Sequence, residues 1–176
     1  MTTSLYVWGN HHCSNKKGFR DIFHQLIVRH TSLPYPAYHC DKLLNLDVIN
    51  KLSLNLRPWP AVLILIFGDS NLSTNESILQ TLEYFNKVYQ LFSTFPNYRL
   101  ITCAVIPPRN PTFFQQTRIK SLNCHLQRLQ NSYGGEFMSV TEILNYDDYS
   151  DSNTLNYLGN VKLARKLTQT VYKLSH

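Results

Sequence analysis

The aliphatic run LILIF breaks, at residues 68–71, into Gly-Asp-Ser-Asn. A serine in a polar loop at the end of a strand can be a nucleophile, which makes the Ser70 hydroxyl a candidate to attack a substrate. Such an attack needs a histidine that takes the hydroxyl proton, an acid that orients the histidine, and donors for the oxyanion. Four residues of common types are a modest signal. The same stretch also reads as an ordinary strand-to-helix loop in which Ser73 or Thr74 caps the next helix.

Two further loops carry side chains capable of chemistry. His11, His12 and Cys13 follow the first apolar run, His39 and Cys40 follow the second, and both residue types are zinc ligands. Their spacing matches no metal-ligand pattern, so the expectation is a polar rim with neither metal nor other cofactor. Cys124-His125 falls on a helical stretch, away from that rim. Ser14 is a second imaginable nucleophile beside His11 and His12, although helix capping near Gly18 is its plainer use. Asp147, Asp148 and Asp151 form an acidic cluster that reads as a solvated loop.

These side chains depend on the elements that carry them. Residues 4–8 are β-prone and end at Gly9. Phe19, Ile22, Phe23, Leu26 and Ile27 then recur at the spacing of an amphipathic helix. A short strand around Ala37 and Tyr38 precedes a second helical pattern on Leu43, Leu44, Leu46, Val48, Ile49 and Leu52. Pro58 and Pro60 punctuate the chain before AVLILIF, whose unbroken apolarity suits a central parallel strand covered on both faces. A helix on Ile78, Leu82, Phe85, Tyr89 and Phe92 follows, then the strand YRLITCAVI, stopped by Pro107-Pro108. Ile119, Leu122, Leu126 and Leu129 mark another helix. Gly134-Gly135 leads into the weak strand EFMSV, and Val161, Ala164, Leu167, Val171 and Leu174 mark a last helix. The alternation predicts an α/β protein, a three-layer α/β/α sandwich around a parallel sheet of about five strands in flavodoxin-like order 2-1-3-4-5. Ligands of such sheets bind at the carboxyl ends of the strands, so the loops after Trp8, Tyr38 and Phe67 share one rim.

The 176 residues suit a single domain over 1–176, and 43% hydrophobic with 16% charged content is the profile of a folded chain. The longest apolar stretch, residues 61–67, is too short to cross a membrane, and MTTSLYVWGN lacks the parts of a secretory signal. A soluble intracellular protein, cytoplasmic or nuclear and away from membranes, is expected. Cys13, Cys40, Cys103 and Cys124 include no CxxC pair, which argues against a disulfide framework. The net charge of +6 favours an anionic partner such as nucleic acid, yet no basic run exceeds Lys16-Lys17 or Arg165-Lys166.

With YVWGNHHCSN as a first block and LILIFGDSNLS as a third, the chain resembles the SGNH (GDSL) hydrolase superfamily, particularly the esterase-like domains of some LINE retrotransposon proteins. In that family the first block reads Gly-Asp-Ser after strand one, the third Gly-x-Asn-Asp after strand three, and the last Asp-x-x-His before the C-terminal helix. The resemblance puts Asn10 and His11 where the Asp and the nucleophilic Ser belong. Ser70 takes the place of the oxyanion-hole Asn, or Asn71 does with a shift of one residue. Asp151 keeps the acid, and Thr154 replaces the histidine. LNYLGNVKLARKL, ITCAVIPPR and the Asn of SLNCHLQRL are similar to the family's final helix, fourth strand and following helix. The intervals are family-like as well, 59 residues from Gly9 to Gly68 and 84 from Ser70 to Thr154. Two strand-helix units precede Ser70, whereas the family's nucleophile strand opens the domain. The oxyanion glycine expected after strand two is missing from YPAYHCDK.

What the resemblance implies is the family's fold with a degenerate triad: a catalytically inactive pseudo-esterase domain serving as a protein-binding or assembly module, with a protein partner or another copy of itself. Two alternatives stay open. One is an active ester hydrolase with a rearranged site, using Ser70 or Ser14 with His11, His12 or His39. The other is a nucleic-acid-associated, retroelement-derived protein.

Overall fold

A computed structural model describes residues 3–57 and 60–175; Pro58, one of the two punctuating prolines, lies outside the described residues. The strand β3 (Ala61–Ile66) is buried at every position. Its side chains alternate between two cores, with Val62, Ile64 and Ile66 in one and Leu63 and Leu65 in the other. A strand covered on both faces has no polar face to present, which is why its sequence is continuously apolar. β1 (Ser4–Gly9) and β4 (Tyr98–Cys103) flank it in parallel. β2 (Ala37–Cys40) lies beyond β1 and β5 (Glu136–Met138) beyond β4, which gives the order β2-β1-β3-β4-β5. This is the expected topology.

The helices are α1 (His11–Ser14), α2 (Asp21–His30), α3 (Leu46–Asn55), α4 (Asp69–Leu72), α5 (Ile78–Ser93), α6 (Phe113–Tyr133) and α7 (Tyr157–Ser175). Phe23 and Ile27 of α2 join Leu163, Leu167 and Val171 of α7 in the first core. Val48 and Leu52 of α3, Phe85 and Tyr89 of α5, and Leu122 and Leu126 of α6 fill the second. Helices therefore cover both faces of the sheet, each fully buried large side chain contributing about 1.5–3 kcal/mol. Among the described residues no helix is long and apolar enough to cross a membrane.

Several local departures from the sequence expectation shape the carboxyl rim. HHCSNKK, expected as a loop, begins with α1, because the Asn10 side chain caps it by accepting from the His12 amide at 3.1 Å; a π-type turn, Lys16–Arg20, follows. The cap of α5 is Ser77, which accepts from Gln80 N at 3.1 Å, rather than Ser73 or Thr74. The Thr74 hydroxyl instead donates to Asn71 O at 2.7 Å and closes the end of α4. The fourth strand stops at Cys103, short of the prolines. Val105 N donates to the Asn123 side chain of α6 at 2.9 Å, so the backbone leaves the sheet there. Asp148, expected in a solvated cluster, is 1% exposed and accepts from Asn145 N at 2.7 Å and Lys162 Nζ at 2.8 Å.

Candidate functional site

β1 and β3 end side by side, with Gly9 paired to Ile66, so the residues that follow them meet. A Cβ on Gly9 would collide with Cys13 Sγ and lie 3.0 Å from Ile66 O, so only glycine lets α1 fold tightly over the strand end. At Gly68 the backbone turns with φ of 118°, and an added Cβ would lie 2.7 Å from Val105 Cγ2. These two turns bring Asn10, His11 and His12 opposite Asp69.

Asn10 Nδ2 donates to Asp69 Oδ1, which fixes the carboxylate. The second oxygen, Oδ2, faces both imidazoles, with His12 Nε2 at 3.3 Å and His11 Nδ1 at 3.6 Å. The His12 and Asp69 side chains are 3% and 16% exposed, whereas that of His11 is 40% exposed. The two imidazole rings lie 4.0 Å apart, centroid to centroid. His11 Nε2 reaches Asn153 O at 3.0 Å, which ties the first loop to the segment before α7. In that segment Asp151 Oδ1 accepts from the amides of Asn153 and Thr154 at 2.9 and 2.8 Å. Those bonds, the Asn153 amide foremost, together with the Thr154 hydroxyl, hold the Asp151 carboxyl below the usual carboxylate range.

A cavity of about 340 Å³ opens beside this cluster, lined among others by His11, His12, Asp69, Ser70, Phe114 and Arg118. Ser70 and both histidines thus share one cavity, although among the described residues no hydrogen bond joins the Ser70 hydroxyl to either ring. Asn71 does not line it. Its Oδ1 accepts from Leu44 N at 3.2 Å, and its Nδ2 donates to Leu44 O at 3.0 Å and to Glu76 Oε2 at 2.8 Å. Of the two registers weighed for the oxyanion position, Ser70 is therefore the residue on the cavity wall, and the Asn71 amide is committed to the fold.

The remaining candidates stand elsewhere. Successive residues of a strand point to opposite faces, so His39 and Cys40 do not share a ligand. His39 stacks on Trp8 at 4.4 Å, and Cys40 Sγ accepts from the Arg20 guanidinium at 2.8 Å. Cys13 is completely buried, and burial above all pushes its thiol well up, so it stays protonated and is a poor metal ligand at neutral pH. The Ser14 hydroxyl donates to His11 O at 2.7 Å. Cys124 is exposed on α6, and His125 lines a separate groove with Leu82 and Glu83.

Asp69 is the residue that the sequence candidates omit. Its one signal is position: a carboxylate adjacent to Ser70, at the end of the strand next to β1. With His11 and His12 it places three ligand atoms within 4.8 Å of one another, a donor set suited to a divalent metal ion.

No family model and no curated protein matches this sequence. Solved structures do. A member of the lipolytic protein G-D-S-L family from Veillonella parvula superposes with a TM-score of 0.80 at 11% identity, over 96% of this chain and 97% of that one. A carbohydrate acetylesterase from Sinorhizobium meliloti superposes with a TM-score of 0.76 at 12% identity, over 98% and 100%. The aryl esterase of M. smegmatis gives a TM-score of 0.74 at 10% identity, over 98% and 100%. Likeness at such low identity speaks for architecture alone, and architecturally this chain has the fold of the SGNH hydrolases.

Proposed function

We propose that this domain is a catalytically inactive SGNH hydrolase-like module that binds through its retained cavity rather than cleaving esters. One observation supports the reading: the resemblance puts His11 and Thr154 where the family has its nucleophile and base, and His11 Nε2 is hydrogen-bonded to the Asn153 carbonyl at 3.0 Å. The bond turns the other ring nitrogen, Nδ1, toward Asp69 Oδ2 at 3.6 Å, and among the described residues no hydrogen bond joins that ring to the Ser70 hydroxyl. The rim supports a protein partner or a second copy of the chain, because Phe113 and Phe114, at the start of α6 beside the cavity, are 84% and 66% exposed.

The test is turnover of p-nitrophenyl acetate by chelator-treated protein, together with labelling by a fluorophosphonate. The expected rate is that of the buffer blank, without labelling. Labelling abolished by Ser70→Ala, or turnover abolished by His11→Ala, would overturn the reading in favour of an esterase with a rearranged site, which the shared cavity of Ser70, His11 and His12 supports.

A second reading rests on a separate groove between α2 and α7, whose lining includes Arg29, His30, Arg165 and Lys173. Together with the net charge of +6, it supports contact with a nucleic-acid backbone. Binding of that kind releases counterions, so affinity in a gel shift should fall at least tenfold between about 50 and about 200 mM salt. An affinity that stays flat over that range counts against it.

A further inference from the structure

We propose that His11, His12 and Asp69 form a binding site for a divalent transition-metal ion of the Zn²⁺ class, with a further coordination position open to the cavity. The inference goes beyond the pseudo-hydrolase reading and does not rest on it. Zinc bonds to imidazole nitrogen and carboxylate oxygen are roughly 2.0–2.2 Å long, so tetrahedral ligand atoms lie about 3.3–3.5 Å apart. The edges from Asp69 Oδ2 to His12 Nε2 and to His11 Nδ1 are 3.3 and 3.6 Å, and all three ligand atoms fall within 4.8 Å. The adjustment that remains falls to His11, the exposed member of the set.

The surrounding hydrogen bonds have the form that orients metal ligands. Asn153 O only accepts, so His11 Nε2 carries a proton and, in the neutral ring, Nδ1 is the bare nitrogen. That lone pair faces the Asp69 carboxylate, so either a proton on Nδ1 or a metal ion between the two relieves the repulsion, and the site is built for the second. A ligating histidine characteristically donates its other ring N–H to a backbone carbonyl in this way. Asn10 completes the outer shell: it donates to Asp69 Oδ1, leaving Oδ2 to the metal, and accepts from the backbone amide of His12. Cys13, His39 and Cys40 are outside the set, for the reasons of burial and strand face given above. Ser70 lines the same cavity, which leaves room for water or a small ligand at the open position.

The test uses the full chain, stripped with EDTA and titrated with Zn²⁺ against a chromophoric chelator and with Co²⁺ by visible absorption. One Zn²⁺ per chain is expected, with a Co²⁺ d–d band of low coordination number. His11→Ala and Asp69→Asn should each raise Kd by more than the roughly 10–100-fold that loss of an outer-shell partner brings. His39→Ala, whose ring stacks on Trp8 and is outside the ligand set, should leave Kd unchanged and so serves as the control for casual surface histidine binding. Absence of saturable binding, or binding that His11→Ala leaves intact, overturns the proposal; the imidazoles and carboxylate are then held by protons alone. His11 is exposed, so its truncation removes no core, and that variant decides the matter if Asp69→Asn fails to fold.

Discussion

Replacing Asn71 with alanine is expected to lower the folding stability by about 3–5 kcal/mol, since it strips partners from two buried backbone groups at roughly 1–3 kcal/mol each and opens a small void. Asn71 is fully buried, and Leu44, whose N–H and C=O it satisfies together, is 1% exposed. Glu76 also loses a donor, keeping Thr81 Oγ1 at 3.4 Å. For a chain of this size each kcal/mol moves the midpoint by about 2–4 °C, so a drop of about 10 °C in Tm should be seen by calorimetry. Asn71→Asp is not a rescue. It restores an acceptor for Leu44 N, but sets a carboxylate against Leu44 O and the Glu76 carboxylate. A cost below about 1 kcal/mol for Asn71→Ala would show that the loop relaxes around the loss, and that this bond pair is not what pins the floor of the site.

The parts of this molecule that are legible in its sequence are those set by periodicity. AVLILIF announces a doubly covered strand because burial on two faces leaves no place for a polar residue, and the helical faces of α5 and α7 follow from the same rule. What escapes is decided by side-chain reach. Ser73, Thr74 and Ser77 are equivalent as caps on paper; Ser77 wins because Thr74 turns back to Asn71 O. Asp148 and Lys162 pair across 14 positions, and nothing in an acidic run says which carboxylate goes inside. The site divides in the same way. Spacing brings residues 9–11, 68–71 and 151–154 to one rim, but it does not reveal that Asp69, not Ser70, faces the two histidines. That outcome depends on Gly68 turning at positive φ and on Asn10 reaching across 59 positions to hold the carboxylate.

The same convergence makes a gain of function testable. The double variant His11→Ser, Thr154→His is expected to react with a fluorophosphonate and to raise ester turnover over the unaltered chain by about 100-fold or more, because a serine and its histidine act as a unit, worth up to roughly 10⁶ in rate. Position 11 already lies against the segment that carries position 154, through the 3.0 Å contact of His11 Nε2 with Asn153 O. Asp151 is kept ionised by the amides of Asn153 and Thr154, and its contact with the Thr154 hydroxyl shows that a side chain at 154 can reach it. An imidazole there gains an acid to orient it. The expected gain stays far below a full triad because the resemblance puts Ser70 where an amide donor is needed, and one missing oxyanion donor costs about 10²–10³. Adding Ser70→Asn should recover part of that deficit, while either single variant stays at background, a non-additivity that distinguishes a rebuilt pair from a general base acting alone. If the double variant neither labels nor turns over while its Tm stays near that of the unaltered chain, then residues 11 and 154 do not present their side chains to a common point, and the proposed inactivity would rest on the backbone of the rim as well as on those two residues.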